Sequence, residues 1–314
     1  MIEANQLSKY FGERAAIRDL TFAIASGEVV GLLGLNGAGK TTTLRVLSCL
    51  LLPTAGTVRV DGIEVTEDPY AIRRKIGFLP DLPPLYPEMT VGDYLGFAAR
   101  LRQVPGREVP ARVAEAEAKT ALGDMHREII GELSHGYRQR VGLAQAIVHK
   151  PALLILDEPA AGLDPAQIVE MRHLLRGLRG EHTVLISSHF LTEISQTCDR
   201  LLVIHDGELV GQGTEAELAS SMGQGGHTIE VEVRGQPAGL AERLSQLPAV
   251  SKALGRSTTD NNTLFEIVAS ADVRAEVARL LVNSGCDLLR LERSESRLES
   301  IFMNLTQSPA GGPQ

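Results

Sequence analysis

The chain has 314 residues, 43% of them apolar and 22% charged. That length exceeds what one hydrophobic core usually fills, so a large domain plus a smaller one is expected, and the balance excludes wholesale disorder or a fibrous repeat. The formal net charge is −8 and the basic residues are mostly scattered arginines, which argues against a nucleic-acid partner held through its phosphates.

Three cysteines, Cys49, Cys198 and Cys286, lie far apart without metal-type spacing. They suit a reducing compartment and read as buried small hydrophobes. The opening "MIEANQLSKY" lacks the pattern of a secretion signal, and the apolar "VLSCLLLP" is too short to cross a bilayer. A soluble, cytoplasmic chain is therefore expected.

Residues 2 to 33 alternate apolar and polar in short runs broken at glycines and charged turns, which predicts strands. The next stretch, "GLNGAGKTT" at residues 34 to 42, fits G-x-x-x-x-G-K-[ST] as Gly34, Gly39, Lys40 and Thr41, and it falls between the strand-like "EVVGLL" and a helical run. Glycines there let backbone N–H groups curl round a phosphate chain, and the following helix points its positive end at the same place. Lys40 would neutralise β- and γ-phosphates, and the Thr41 hydroxyl would hold Mg²⁺. Further on, "GTVRVDGIEV" predicts a strand pair around Asp61-Gly62, and "KIGFLPD" another strand.

From about residue 90 to 150 the period changes to three and four, in "VGDYLGFAARLRQV", "ARVAEAEAKTAL" and "YRQRVGLAQAIVHK", which predicts helices. Two short apolar runs follow, "ALLILDEP" and "TVLISSH", with a helical crossover between them, as buried parallel strands require. Asp157 and Glu158 emerge at the C-terminal end of the first run, where open α/β sheets bind ligands. Asp157 is then a candidate to hold Mg²⁺ through water and Glu158 to polarise an attacking water; alone, such a pair would as readily cap a turn. His189 ends the second run at the same edge.

The small, polar, Gly-rich stretch at residues 219–226 predicts a linker. Beyond it, residues 227–307 read strand, helix, strand, strand, helix, strand, helix, whose first six elements are the βαββαβ order of a ferredoxin-like domain. Residues 308–314 read as a tail.

In this order the motifs resemble the nucleotide-binding subunit of an ABC transporter, over residues 1–218. The resemblance implies an α/β P-loop NTPase fold of the ABC type, with an antiparallel β subdomain and a helical subdomain at about 82–150. "GLNGAGKTT" resembles the family's Walker A, so Asn36, Gly37, Ala38 and Thr42 join the ATP-binding set. "LLILDEP" resembles Walker B with Glu158 as the catalytic glutamate, "AGLD" the D-loop with Asp164, and "SSH" the switch with His189 as a catalytic residue. Phe11, 29 residues before Lys40, stands where the family stacks an aromatic on adenine, a contact that contributes about 1–3 kcal/mol elsewhere; Tyr10 is a rival for that role.

Two places depart from the family pattern. "IGFLPD" carries Asp81 where the Q-loop usually has Gln, and a carboxylate there can still reach Mg²⁺ or its water. "LSHGY" stands for the signature "LSGGQ"; Ser134 and Gly136 keep the hydroxyl and the free backbone N–H groups that closure over a γ-phosphate needs. Ser134 would otherwise be an ordinary helix N-cap. "LSHGYRQR" together with "LESIF" at residues 298–302 resembles the gliding-motility-associated and related ABC-2-type exporter subfamily, in which both departures are common.

The resemblance implies ATP and Mg²⁺ as cofactors, a second copy of the chain or a homologous ATPase as partner, and an integral membrane permease that would hold the protein on the inner face of the cell membrane. A non-transport ABC ATPase acting on a macromolecular complex is the alternative, but such proteins carry two cassettes or long coiled-coil insertions. A soluble P-loop kinase or GTPase would leave "LSHGYRQR" and "AGLD" without a role.

Overall fold

The computed structural model describes residues 1–215, 217–218, 227–235, 239–257 and 262–293. The chain divides into two compact units, Met1–Thr214 and Glu215–Gln314. The expected linker, the last helix with "LESIF" and the tail lie outside the described residues.

Two sheets build the first unit. In one, β1 (Ile2–Phe11), β2 (Arg14–Ile24), β4 (Ala55–Val60) and β5 (Ile63–Glu64) pair antiparallel in the order β2-β1-β4-β5. The other contains β3 (Val29–Leu33), β6 (Ile76–Leu79), β7 (Leu153–Asp157), β8 (Thr183–Ser188), β9 (Arg200–His205) and β10 (Glu208–Gly213), in the order β10-β9-β3-β8-β7-β6. All its neighbours run parallel except β10 against β9.

The near-continuous apolar runs of β7 and β8 follow from burial on both faces. Leu154, Leu156, Val184 and Ile186 enter a core shared with helices, whereas Leu153, Ile155 and Leu185 enter a second core shared with the antiparallel sheet. Strand side chains alternate, so one strand of five or six residues serves two cores.

The helices are α1 (Lys40–Leu47), α2 (Pro69–Lys75), α3 (Val91–Leu101), α4 (Val109–Lys119), α5 (His135–Ile147), α6 (Pro165–Gly177) and α7 (Leu191–Ser195). Asp68 and Thr90 cap α2 and α3 by accepting the N–H of Ala71 and Asp93. The α5 helix lies close on β6 because glycines permit it. A Cβ on Gly77 would stand 2.1 Å from the Ala146 carbonyl oxygen, and one on Gly142 would stand 2.7 Å from Leu79.

The second unit has its own sheet and core. Its described elements are β11 (His227–Arg234), α8 (Leu240–Ser245), β12 (Val250–Ser257), β13 (Asn262–Ala269), α9 (Arg274–Asn283) and β14 (Leu288–Arg293). The four strands are antiparallel in the order β12-β13-β11-β14. Ile229, Val231 and Val233 alternate onto the face that packs Leu240, Leu244, Val277 and Leu281.

The cysteines are free and only half-buried, each at the edge of a different core, which corrects the expectation of full burial. Desolvation pushes the Cys49 thiol up to about 11 and the Cys198 thiol up to about 12, so both stay protonated.

His149, just beyond α5, ties that helix to β6 by a hydrogen bond from Nε2 to the Ile76 carbonyl at 3.1 Å. Burial, then the nearby Arg102 cation, lower its pKa to about 4 from the ordinary 6.5. An unfolded chain would take up this proton as pH falls below 6.5, and the folded chain resists until about 4; stability is therefore lost on descending through that window. Gln at this position keeps a donor for Ile76 and cannot titrate. His149→Gln is expected to flatten the dependence of the thermal midpoint on pH between about 6.5 and 4, measured by scanning calorimetry.

Candidate functional site

Between β3 and α1 the chain makes the turn that "GLNGAGK" predicts. Gly37 and Gly39 adopt φ of 85° and 107°, a left-handed region that a side chain disfavours. Space forbids one as well, since a Cβ on Gly39 would stand 2.6 Å from the Ala16 carbonyl oxygen. The first helical residue is Lys40, only 6% exposed. Its ammonium donates to the Gly34 carbonyl at 2.8 Å and lies 3.2 Å from Glu158 Oε1.

The parallel order puts the ends of β7 and β8 beside that turn. Ser187, fully buried on β8, donates its hydroxyl to Asp157 Oδ1 at 2.6 Å and accepts the Glu158 N–H at 2.9 Å. Glu158 Oε2 lies 2.8 Å from His189 Nδ1. The Glu158 backbone has φ of 48°, an unusual conformation for a residue with a Cβ, and one that turns the chain sharply as it leaves the strand. Asp157 hydrogen-bonds Thr41; burial, then the charges of Glu158 and Asp81, raise its carboxyl above the usual range, against the lowering effect of Ser187 and Thr41.

A cleft of about 880 Å³ opens over these groups. Its walls include Phe11, Asn36, Gly37, Gly39, Lys40, Thr41, Thr42, Asp81, Glu158 and His189. Ten residues expected from five separate stretches of sequence thus meet in one place. Gly34, Ala38 and Asp157 lie beneath that wall: Gly34 holds Lys40, Ala38 accepts the Gly207 N–H at 3.0 Å, and Asp157 grips Thr41. Phe11 is 53% exposed and its ring borders the cleft, while Tyr10 is not among the lining residues.

Ser134, Gly136 and Asp164 are not brought to this cleft. Ser134 caps α5, accepting the Tyr137 N–H at 3.4 Å. Gly136 packs against the Gln167 side chain, and Asp164 forms a capping box with Gln167 at the start of α6. Gly136 and Asp164 thus meet through Gln167, and none of the three lines the cleft.

Other lining residues escaped the sequence reading: Arg14, Ala15 and Ala16 from β2, Leu35, Ala161, and the Asp206-Gly207 turn. "LLVIHDGELV" carries an Asp-Gly hairpin signal. Nothing local shows that this turn would brace the phosphate loop, which it does because Gly207 donates to Ala38 and accepts from the Arg18 N–H at 2.7 Å.

A glycine turn with a buried lysine at a helix start, facing carboxylates at the end of a parallel strand, defines a P-loop nucleoside-triphosphate-binding domain. The ABC transporter family model matches residues 17–161. The bacitracin transport ATP-binding protein BcrA of Enterococcus faecalis is 39% identical, covering 97% of this chain and 96% of its own. The daunorubicin resistance ATP-binding protein DrrA3 of Streptomyces coeruleorubidus is 33% identical over 97% and 95%. Among solved structures, the ATP-binding cassette MJ0796 in a dimeric post-hydrolysis state with ADP and Pi is 27% identical, with a TM-score of 0.63 over 68% of this chain and 98% of that one. The chain belongs to the ABC transporter ATP-binding proteins and has relatives among the ABC-2-type exporter ATPases. It binds ATP and is an ATPase subunit of the ABC fold.

A carboxyl whose folded pKa stands above its unfolded value is a charge that opposes folding at neutral pH. Asp157→Asn removes that charge and keeps an oxygen for Ser187. Without nucleotide, the variant's thermal midpoint at neutral pH is expected to rise, while its ATPase activity falls. Calorimetry and a phosphate-release assay check the two directions.

Proposed function

We propose that two copies of this chain close head to tail on two ATP molecules and drive a separate integral membrane permease in the direction of export. The observation that carries this reading is the split of the candidate residues. Lys40, Thr41, Glu158 and His189 converge on one cleft, whereas Ser134, Gly136 and Asp164 cluster away from it. A site divided in this way is completed by a second copy. Ser134 and the N-terminus of α5 would then face the γ-phosphate held by the partner's P-loop, and Asp164 would lie at the interface. MJ0796 is described as a dimeric cassette, and BcrA and DrrA3 are described by bacitracin transport and daunorubicin resistance; these support the dimer and the exporter reading.

Within the cleft, Phe11 would stack on adenine, Asn36 to Thr42 would cradle the phosphates, and Lys40 would neutralise their charge. Glu158 would act as the general base toward the attacking water, held by His189. Thr41, Asp157 and Asp81 are hard oxygen donors, with Thr41 hydrogen-bonded to Asp157 and the Asp81 charge close enough to act on it, which fits them to Mg²⁺. Among the described residues no three His, Cys, Asp or Glu side chains cage an ion by themselves, so water and phosphate oxygens would complete the shell. Bound there, Mg²⁺ would neutralise charge on the β- and γ-phosphates.

The second unit we read as a ferredoxin-like accessory domain. Its βαββαβ succession and the order β12-β13-β11-β14 support that assignment. The proposed domains are 1–218 for the ATPase, with the helical subdomain at about 82–150, 219–226 for the linker, 227–307 for the accessory domain and 308–314 for the tail. No helix among the described residues is long and apolar enough to cross a membrane; attachment to the inner membrane face would come through the permease.

Glu158→Gln keeps the size and removes the base. It is expected to abolish steady ATP turnover while preserving ATP-dependent dimerisation by light scattering; full turnover would remove Glu158 from the role. Ser134→Arg puts a bulky cation at the interface and is expected to lower turnover with ATP affinity of the P-loop unchanged. Near-normal turnover would leave Ser134 as a helix cap.

A further inference from the structure

The stretch "LSHGYRQR" contains two side chains to which the reading above gives no role, His135 and Gln139. They are four residues apart on α5 and so share a face of the helix. His135 Nε2 lies 3.0 Å from the Ala161 carbonyl oxygen, which makes this nitrogen the donor, since a carbonyl only accepts. A Cβ on Gly162 would stand 3.1 Å from the same nitrogen, so the imidazole lies directly on the Ala161-Gly162 backbone. One turn along, Gln139 Nε2 donates to the Asp81 carbonyl at 3.2 Å.

Both receiving residues, Ala161 and Asp81, line the nucleotide cleft. Ala161 is moreover bonded to the Glu158 loop, its N–H donating to the Glu158 carbonyl at 3.0 Å. Each bond therefore runs from a loop at this subunit's own cleft to the helix whose N-terminus carries Ser134. Packing alone does not account for the choice of residues. Gln139 is only 1% exposed beside an apolar core, and its Oε1 has no hydrogen-bond partner among the described residues. An apolar side chain would fill the space without leaving a buried acceptor unmatched, so the amide is kept for the bond it donates.

We infer that His135 and Gln139 are positioning residues that tie the signature helix to the two loops at this subunit's own nucleotide, so that occupancy of one cleft aims Ser134 at the other. The inference rests on the two-copy reading above. It concerns binding energy passed between sites, and coupling of this kind typically changes an affinity or rate by about 5- to 150-fold.

The test uses the full chain and three variants. His135→Phe and Gln139→Leu each remove a donor, and His135→Gln restores one, because its Nε2 is the same number of bonds from Cα as the imidazole Nε2. For each, P-loop affinity is measured with a fluorescent ATP analogue, dimerisation by light scattering, and turnover against ATP concentration. Expected for His135→Phe and Gln139→Leu is unchanged analogue affinity, turnover about tenfold lower and a Hill coefficient near 1, with His135→Gln close to wild type. Wild-type cooperativity and turnover in His135→Phe and Gln139→Leu would overturn the inference while leaving the dimer intact. Loss of analogue affinity in both would also overturn it, by assigning them to folding of the core. A wild-type chain that never dimerises with ATP would instead sink the two-copy reading, and this inference with it.

Discussion

One buried hydroxyl holds the site in register. Ser187 donates to Asp157 and accepts from the backbone of Glu158, so the ends of β7 and β8 are fixed to each other within hydrogen-bond reach. The parallel pairing puts that hydroxyl there, because Asp157 and Ser187 are register partners. Glu158 leaves the strand in a left-handed conformation directly after this bond, which turns its carboxylate between Lys40 and His189. In a less regular sheet the same residues would not meet.

The sheet is regular because both its faces are buried. β7 serves one core through Leu154 and Leu156 and another through Leu153 and Ile155, so a slip of one residue would exchange the two sets. Close approach of helix and strand follows from Gly77 and Gly142. That approach brings α5 near Asp81, and through Gln139 it links the helix bearing Ser134 with the cleft. Packing and chemistry are thus joined at one helix: its C-terminal half fills a core, and its N-terminal turn packs against the Ala161-Gly162 backbone and Gln167.

Much of the site was legible in the sequence because its parts are short and local. The P-loop requires glycines, a lysine and a hydroxyl within nine residues, and each has a backbone or charge reason. "LLILDEP" requires only a buried strand and an acidic end. Phe11 and Asp81 came from a resemblance to a family, and both line the cleft. Less was legible where partners are distant. The Asp206-Gly207 turn reaches the cleft because β9 pairs beside β3, and β2, which carries Arg14 and Ala16, is bonded to that turn through Arg18; no spacing between residues 16 and 206 announces it. The cysteines were read as buried from residue type, yet each lies at the edge of a core.

By itself the sequence determined the strands and helices, the phosphate loop and the identity of the acidic and imidazole groups, because these depend on period, turn chemistry and residue type within a few positions. Tertiary structure alone decided which groups share the cleft and which do not. Ser134, Gly136 and Asp164 stand apart from Lys40 although motif order runs through all of them. The reason is physical: strand order and the seating of α5 on β6 set distances between residues a hundred positions apart, and no local preference encodes those distances.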